Sequence, residues 1–359
     1  VPPIQLSLAD QKVFESAVIA LGRLDGIART LPQTELFLYM YVRKEALLSS
    51  QIEGTQSSLS DLLLFENDEP SEVSIADVVE VSNYVDAMEF GIAALETLPL
   101  STRLFKEIHA RLLSRGRGSD KSLGEYRSSQ NWIGGTRPGN AFYVPPPPGD
   151  VAACMGDLEK FLNEDNTDLP LLVRIALAHA QFETIHPFLD GNGRLGRLLI
   201  TLALVSNKVL EKPLLYLSLY FKEHREAYYD LLQRIRTEGA WERWIAFFLE
   251  AVRSTAEQAT ETARRLLTLF EKDRRHIEDA APAASTLRLH ELFRRTPIVK
   301  SSTAASELRL SQPATDAALQ RLIGIGIVRE ITGRQRNRLY AYDSYLAILQ
   351  EGTAPLPSR

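Results

Sequence analysis

Twelve consecutive residues, His186-Pro187-Phe188-Leu189-Asp190-Gly191-Asn192-Gly193-Arg194-Leu195-Gly196-Arg197, bring together an imidazole, a carboxylate, an amide, three glycines and two guanidiniums. Asp190-Gly191-Asn192-Gly193 is turn sequence whose glycines accept positive φ and let a ligand approach the backbone. Leu195, Leu198, Leu199 and Leu202 then recur at helical spacing. A helix therefore starts near Gly193 and offers its unpaired first-turn N–H groups to an anion. Arg194 and Arg197, three apart on that helix, can both reach back toward the anion, and phosphate is the expected guest. Asp190 would be poorly placed beside an anion without a cation between them, so it is the candidate Mg2+ ligand bridging to phosphate oxygens. His186, at the edge of the turn, can take a proton from an incoming hydroxyl near neutral pH. A capped helix with a surface histidine and two solvated arginines would account for each residue singly; the combination favours catalysis.

The same twelve residues match, without a gap, the signature HPFx(D/E)GNGRxxR, and by it the chain resembles proteins of the Fic (Fic/Doc) domain family. The resemblance implies an all-α fold, a helical bundle carrying a small β-hairpin flap. It also implies a reaction: transfer of AMP from ATP to a Tyr, Thr or Ser hydroxyl of a protein, with release of pyrophosphate. On that basis His186 deprotonates the target hydroxyl, Asp190 holds Mg2+, and Gly191, Asn192 and Gly193 cradle the phosphates. Arg194 and Arg197 neutralise the phosphate tail, and Phe188 anchors the loop in the core. In-line attack on the α-phosphate is expected, with the turn amides and Arg194 stabilising the developing charge.

Length and composition set the outer limits. A chain of 359 residues has room for two or three domains, and a net charge of −5 is unremarkable. The single cysteine, Cys154, excludes an internal disulfide framework and a cysteine-based zinc cluster. The opening VPPIQLSLADQ lacks the basic region and apolar core of a signal peptide, and no run reaches the length of a membrane span. A cytoplasmic protein is expected, without membrane attachment.

Residues 1–95 read as mostly helical. Within FLYMYVRKEALLSSQIEG, Glu53 by itself is an exposed helical carboxylate or a partner for Arg43 or Lys44. The family resemblance gives it another role. Ser49, Glu53 and Gly54 match (S/T)xxxE(G/N), the pattern of the inhibitory helix that many Fic proteins carry, in which the glutamate pairs with the second signature arginine, here Arg197. Such a pair would occupy the guanidinium meant for the terminal phosphate and would repel the phosphate tail. Farther on, IADVVEVSNYVDAMEFGIAAL carries Val79, Val81, Val85, Met88 and Ile92 as an approximate buried face. His109, in the next amphipathic helix, reads as a packed or solvated residue.

Residues 96–250 form the expected catalytic core. Between 121 and 149 helical periodicity lapses, and the Gly134-Gly135 turn and the extended segment Asn140–Val144 ahead of four prolines predict a small hairpin. The resemblance makes Ile133, Gly134, Gly135, Phe142, Tyr143 and Val144 a flap that docks the protein substrate by strand-like contacts. Arg127 could bind a ligand or be buried beside Trp132. Asp168-Leu169-Pro170 opens the helix that leads to His186, with His179 on its core side. After the signature, Tyr228 and Tyr229 are a candidate wall for an adenine ring, although aromatics at this spacing are also ordinary core material. Trp241, Trp244, Phe247 and Phe248 read as core, near the surface of an expected homodimer.

A polar helix and linker at 251–284 lead to a unit at 285–359 that resembles a winged-helix domain: three helices, then a short β wing. It holds 11 Lys and Arg against 6 Asp and Glu. Arg334, Arg336 and Arg338 could contact DNA phosphates, yet the segment PATDAALQRLIGIG is poor in base-reading side chains, so protein docking is an equal reading. Two competing functions follow: a DNA-binding regulator with a vestigial Fic domain, and a Fic-type enzyme that removes AMP, with Glu53 positioning a water.

Overall fold

The computed structural model of the protein describes residues 3–356 except 31–33, 68, 70–72, 165–167, 211, 281–282 and 336. Helices dominate. The N-terminal region comprises α1 (Leu8–Thr30), α2 (Thr34–Ile52), α3 (Leu59–Glu66) and α4 (Ile75–Ala94). The central helices are α5 (Thr102–Leu112), α6 (Val151–Asn163), α7 (Leu171–Ile185), α8 (Asn192–Ser206), α9 (Ser218–Glu223) and α10 (Arg225–Glu238). The forty-residue α11 (Trp241–Ala280) packs along α1 and also touches α7, α9 and α10, so it spans the bundle. None of the described helices is long and apolar enough to cross a membrane.

The helices that flank the signature are buried on nearly every side. Leu172, Ile175, Ala176 and Phe182 of α7, and Leu195, Leu198, Leu199 and Leu202 of α8, are all within the core. Surrounding packing, rather than amphipathicity, therefore holds them. In α4 Val81, Val85 and Met88 are buried as expected, while Val78 takes the place of the half-buried Val79. Glu80 and Asn83 of the same helix are buried as well.

Buried polar residues fix α2 in place. Arg43 stacks over the Tyr39 ring at 3.3 Å and pairs with Glu66 at 2.9 Å. Lys44 donates to the Glu351 carbonyl at 2.9 Å. Gln51 donates to the carbonyls of Ser57 at 3.0 Å and Thr353 at 2.9 Å, and accepts from Lys222 at 2.7 Å. Neither Arg43 nor Lys44 is the partner of Glu53. The helix ends at Ile52, and Gly54 takes φ +107°, a conformation that suits glycine.

Residues 133–143 form a minimal antiparallel hairpin, with one bridge between Ile133 and Tyr143. Gly134 and Gly135 both have positive φ. A Cβ on Gly134 would lie 2.2 Å from the Phe142 ring, and one on Gly135 would lie 2.3 Å from the Asn140 carbonyl, so the turn demands both glycines.

The C-terminal region contains α12 (Ala284–Arg295), β1 (Ile298–Lys300), α13 (Ser301–Leu308), α14 (Gln312–Gly324), β2 (Arg329–Glu330), β3 (Leu339–Ala341) and α15 (Asp343–Gln350). The three strands make an antiparallel sheet in the order β1-β3-β2. α12 gives way to a strand at Pro297-Ile298-Val299, because Pro297 lacks the N–H that a helix requires and Ile298 and Val299 are β-branched.

Candidate active site

The signature is a helix end, a tight turn and a helix start. His186 closes α7 in the left-handed region at φ 50°, its N–H bonded to the Phe182 carbonyl at 2.9 Å. A non-glycine residue in that conformation carries a strain of about 1 kcal/mol and must be held by its surroundings. The holding groups come from the segment before the flap. Arg127 Nε donates to the His186 carbonyl at 3.0 Å, its N–H donates to the Pro187 carbonyl at 2.9 Å, and Asn131 Nδ2 donates to the Phe188 carbonyl at 3.0 Å. Arg127 is thus a buried backbone clamp on the turn that begins at His186.

The turn itself is tied by Asn192, whose side chain accepts from the Phe188 N–H and donates to the Phe188 carbonyl, both at 2.9 Å. Phe188 is fully buried and stacks on His109 at 3.8 Å. His109 is more than packing. Its Nδ1 accepts from the Gly124 N–H at 3.0 Å, which leaves Nε2 as the donor to the Asp190 carbonyl at 3.0 Å. Burial keeps this imidazole neutral by pushing its pKa down to about 4. Asp190 Oδ1 in turn accepts from the Gly191 N–H at 2.6 Å.

Gly191, at φ 76°, caps α8, whose first-turn N–H groups have no carbonyl of their own helix to bond. Gly193 forms the floor beside them: a Cβ there would lie 2.3 Å from Glu53 Oε1 and 3.0 Å from Arg197 Nη1. Arg197 is buried, donating through Nε to Ser49 Oγ at 2.9 Å and through Nη2 to the Ser49 carbonyl at 2.9 Å and Glu53 Oε1 at 2.7 Å. Burial opposes the charge of Glu53, and Arg197, helped by Arg194 and His186, overcomes it and holds the carboxyl below its usual range. Arg194, also buried, has Nη1 3.0 Å from Glu80 and Nη2 3.7 Å from Asp190. Its Nε and Nη1 have no well-aligned acceptor among the described residues, so Glu80 balances the charge without saturating the donors.

His186 is neutral here. Burial, with Arg236 assisting, pushes its pKa down to about 4, and Nδ1 has no partner among the described residues. A neutral imidazole is the form a general base requires. One carboxylate, Asp190, is solvent-accessible beside the start of α8, its side chain 41% exposed, and no cluster of three or more His, Cys, Asp or Glu able to hold a metal occurs among the described residues. That donor set fits Mg2+, which is commonly held by one carboxylate together with substrate phosphates.

His179 is fully buried, its Nδ1 donating to the Gly196 carbonyl at 2.8 Å and its Nε2 accepting from Tyr228 OH at 2.9 Å. The expected adenine wall is corrected accordingly. Tyr228 is 1% exposed, stacked on Phe221 at 4.6 Å in an aromatic cluster with Trp244, and presents no face to a ligand. Tyr229, 39% exposed with the Arg225 guanidinium 5.3 Å from its ring centroid, remains accessible.

In the flap, Phe142 and Val144 are exposed, and Gln233 of α10 donates to the Phe142 carbonyl at 2.9 Å. Tyr143 OH donates to the Thr184 carbonyl at 3.1 Å, which fastens the strand to the end of α7. Of the wing arginines, Arg334 pairs with Glu69 at 2.7 Å, Arg338 donates to the Arg334 carbonyl at 2.7 Å, and Arg336 lies outside the described residues.

Several residues at the site carried no motif. Glu80 and Glu183 are buried carboxylates beside the two arginines, and Glu183 is pushed up to about 7 by burial, with Arg197 pulling the other way. A Cβ on Gly196 would lie 2.3 Å from Glu183 Oε1, so that glycine makes room for the carboxylate. The signal in the sequence was an acidic residue at a helical position that packs inward with apolar neighbours, next to Asn83 in α4 and His179 in α7.

Known proteins share sequence and fold with this chain. Residues 11–93 match the model of the Fic/DOC family N-terminal region, and residues 99–204 match that of the Fic/DOC family. A protein adenylyltransferase Fic from Culex quinquefasciatus is 35% identical over 152 residues, 42% of this chain and 27% of that protein. The match thus spans about a quarter of the relative's length. Among solved structures, a Fic family protein from Desulfovibrio desulfuricans G20 superposes with a TM-score of 0.63 at 22% identity, over 95% of this chain and 98% of the other. Fic-1 from C. elegans, residues 134–508, gives a TM-score of 0.53 at 22% identity over 73% of each chain. The chain belongs to the Fic/DOC family.

Proposed function

We propose that the protein is a Mg2+- and ATP-dependent protein adenylyltransferase that holds itself inactive through Glu53. The observation that carries the reading is the convergence, at one turn, of a neutral His186, the open carboxylate of Asp190, the α8 N-terminus and two buried arginines, one engaged by Glu53. In this reading His186 accepts the proton of a target Tyr, Thr or Ser hydroxyl as its oxygen attacks the α-phosphate. The N–H groups at Asn192 and Gly193, with Arg194, stabilise the charge that develops there, and Arg197 receives the departing pyrophosphate. Asp190 would hold Mg2+, which supplies neutralisation of the phosphate charge when bound. Exposed Phe142 and Val144, on a strand fastened at Tyr143 and Gln233, suit a dock for an extended segment of the target protein. Tyr229 is the aromatic left to contact the adenine.

For the C-terminal region we propose a winged-helix unit that docks on protein rather than DNA. Arg334 is already paired with Glu69 of the N-terminal region and Arg329 with Asp343. The exposed face of α14 carries Asp316 and a single cation, Arg321, beside Gln312, Ala317 and Gln320, which is little positive charge for a phosphate backbone.

The test is incubation of the wild type, Glu53→Gly and His186→Ala chains with ATP labelled at the α-phosphate, with and without cell lysate, followed by mass spectrometry. Label on protein hydroxyls is expected with Glu53→Gly and absent with His186→Ala. Label that survives loss of His186, or none with Glu53→Gly in lysate, overturns the reading.

A further inference from the structure

Arg194 has two carboxylates within reach, and they differ in kind. Asp190 sits one helical turn earlier, 3.7 Å away, with its side chain 41% exposed; Glu80 comes from α4, 3.0 Å away, with its side chain 6% exposed. Coulombic attraction in the less hydrated position is the stronger, so the guanidinium lies toward Glu80. Glu80 is itself held. Arg117 bridges it at 3.3 Å to Asp77 at 2.8 Å, and Asp77 Oδ2 accepts from the Gln56 N–H at 2.9 Å, just beyond the inhibitory glutamate. The loop that carries Arg117 is fastened to α4 by Asn83, which donates to the Arg115 carbonyl at 2.7 Å. It also approaches Asp190, since a Cβ on Gly118 would lie 2.8 Å from Asp190 Oδ2.

We propose that Glu80 is a positioning residue that draws Arg194 away from Asp190, leaving the Asp190 carboxylate free for the divalent cation that accompanies the nucleotide. The inference rests on the adenylyltransferase reading and adds a residue to it. Without the Glu80 charge, the buried guanidinium has Asp190 as its remaining carboxylate, at an i,i+4 spacing already suited to pairing. Arg194 then closes on Asp190 and competes with the cation. A residue that merely fills space would not change the contribution of the cation selectively.

The experiment is calorimetric titration of the full chain with α,β-methylene ATP, whose α–β bridge resists transfer, in Mg2+ and separately in EDTA. Glu53→Gly serves as the parent. The parent is expected to bind at least about tenfold more tightly with Mg2+. Adding Glu80→Gln should cut that gain at least about fivefold while changing Mg2+-free affinity by less than about twofold. The double substitution Glu80→Gln with Arg194→Gln removes both partners, and its Mg2+ gain should return to within about twofold of the parent, although its absolute affinity falls. This variant also decides the matter if the single one does not fold. An unchanged gain in the single variant, an equal loss in both media, or a collapsed gain in the double variant overturns the proposal and leaves the functional reading standing. A parent that binds no nucleotide in either medium overturns both.

Discussion

Replacing Glu53 by glycine should make the protein less stable and more active at once. The substitution removes a 2.7 Å bond to Arg197. Ile52 is the last helical residue of α2, so no cost of a glycine within a helix is added. A charged hydrogen bond of this kind contributes about 1.5–3 kcal/mol. The Glu53 side chain is 36% exposed, and solvent screening lowers the figure to about 1–2 kcal/mol. The apo variant should lose that much stability, because Arg197 keeps only the Ser49 hydroxyl and carbonyl. The same energy no longer has to be spent in freeing Arg197 for a phosphate. At 1.4 kcal/mol per factor of ten, productive binding of ATP should improve about 5- to 30-fold. Calorimetry should show the tighter binding and initial rates of self-labelling should rise in parallel. Mg2+-ATP should raise the melting temperature of the variant more than that of wild type, because the phosphate tail replaces the missing anion. Identical affinity and rate in the two proteins would refute the reasoning, as would a loss of stability that the nucleotide does not recover.

The titrating and aromatic groups give four further outcomes. Burial holds His186, His109 and His290 down at about 4 and His179 at about 3, all below the unfolded value near 6.5. Their neutral forms are favoured in the folded chain, so stability is full above about 6.5 and is lost as pH falls toward 4, with a slope of about 1.4 kcal/mol per pH unit for each histidine. Denaturant titrations across that range check it, and the acid limb of the Glu53→Gly rate profile should lie near or below 4, since Glu53 acts to raise His186; a limb near 6.5 would count against His186 as the base. Tyr228→Phe removes the hydroxyl that donates to His179 and should cost about 1–3 kcal/mol of stability with no change in KM for ATP. Tyr229→Ala should do the reverse, sparing stability and raising KM several-fold, and kinetics of the two variants separate the core tyrosine from the accessible one.

Local sequence was sufficient wherever the governing forces were local. His186 to Arg197 announced a helix end, a glycine turn and a helix start because proline, glycine and helical apolar spacing constrain a chain within a few residues, and the Gly134-Gly135 turn declared itself in the same way. Membership of the Fic/DOC family was legible from that one run. Long-range packing decided the rest. Arg127 as the clamp on the His186 carbonyl, His109 as the donor to Asp190, and Glu80 as the partner of Arg194 each join elements far apart in sequence, and no spacing rule pairs them. Tyr228 and Tyr229 are adjacent in the chain, yet one faces an aromatic core and the other the solvent, because successive helical residues point about 100° apart and only the neighbouring helices determine which direction is inward. The charge of an isolated residue can be read from its type, but its partner, its hydration and therefore its chemistry are set by the tertiary fold.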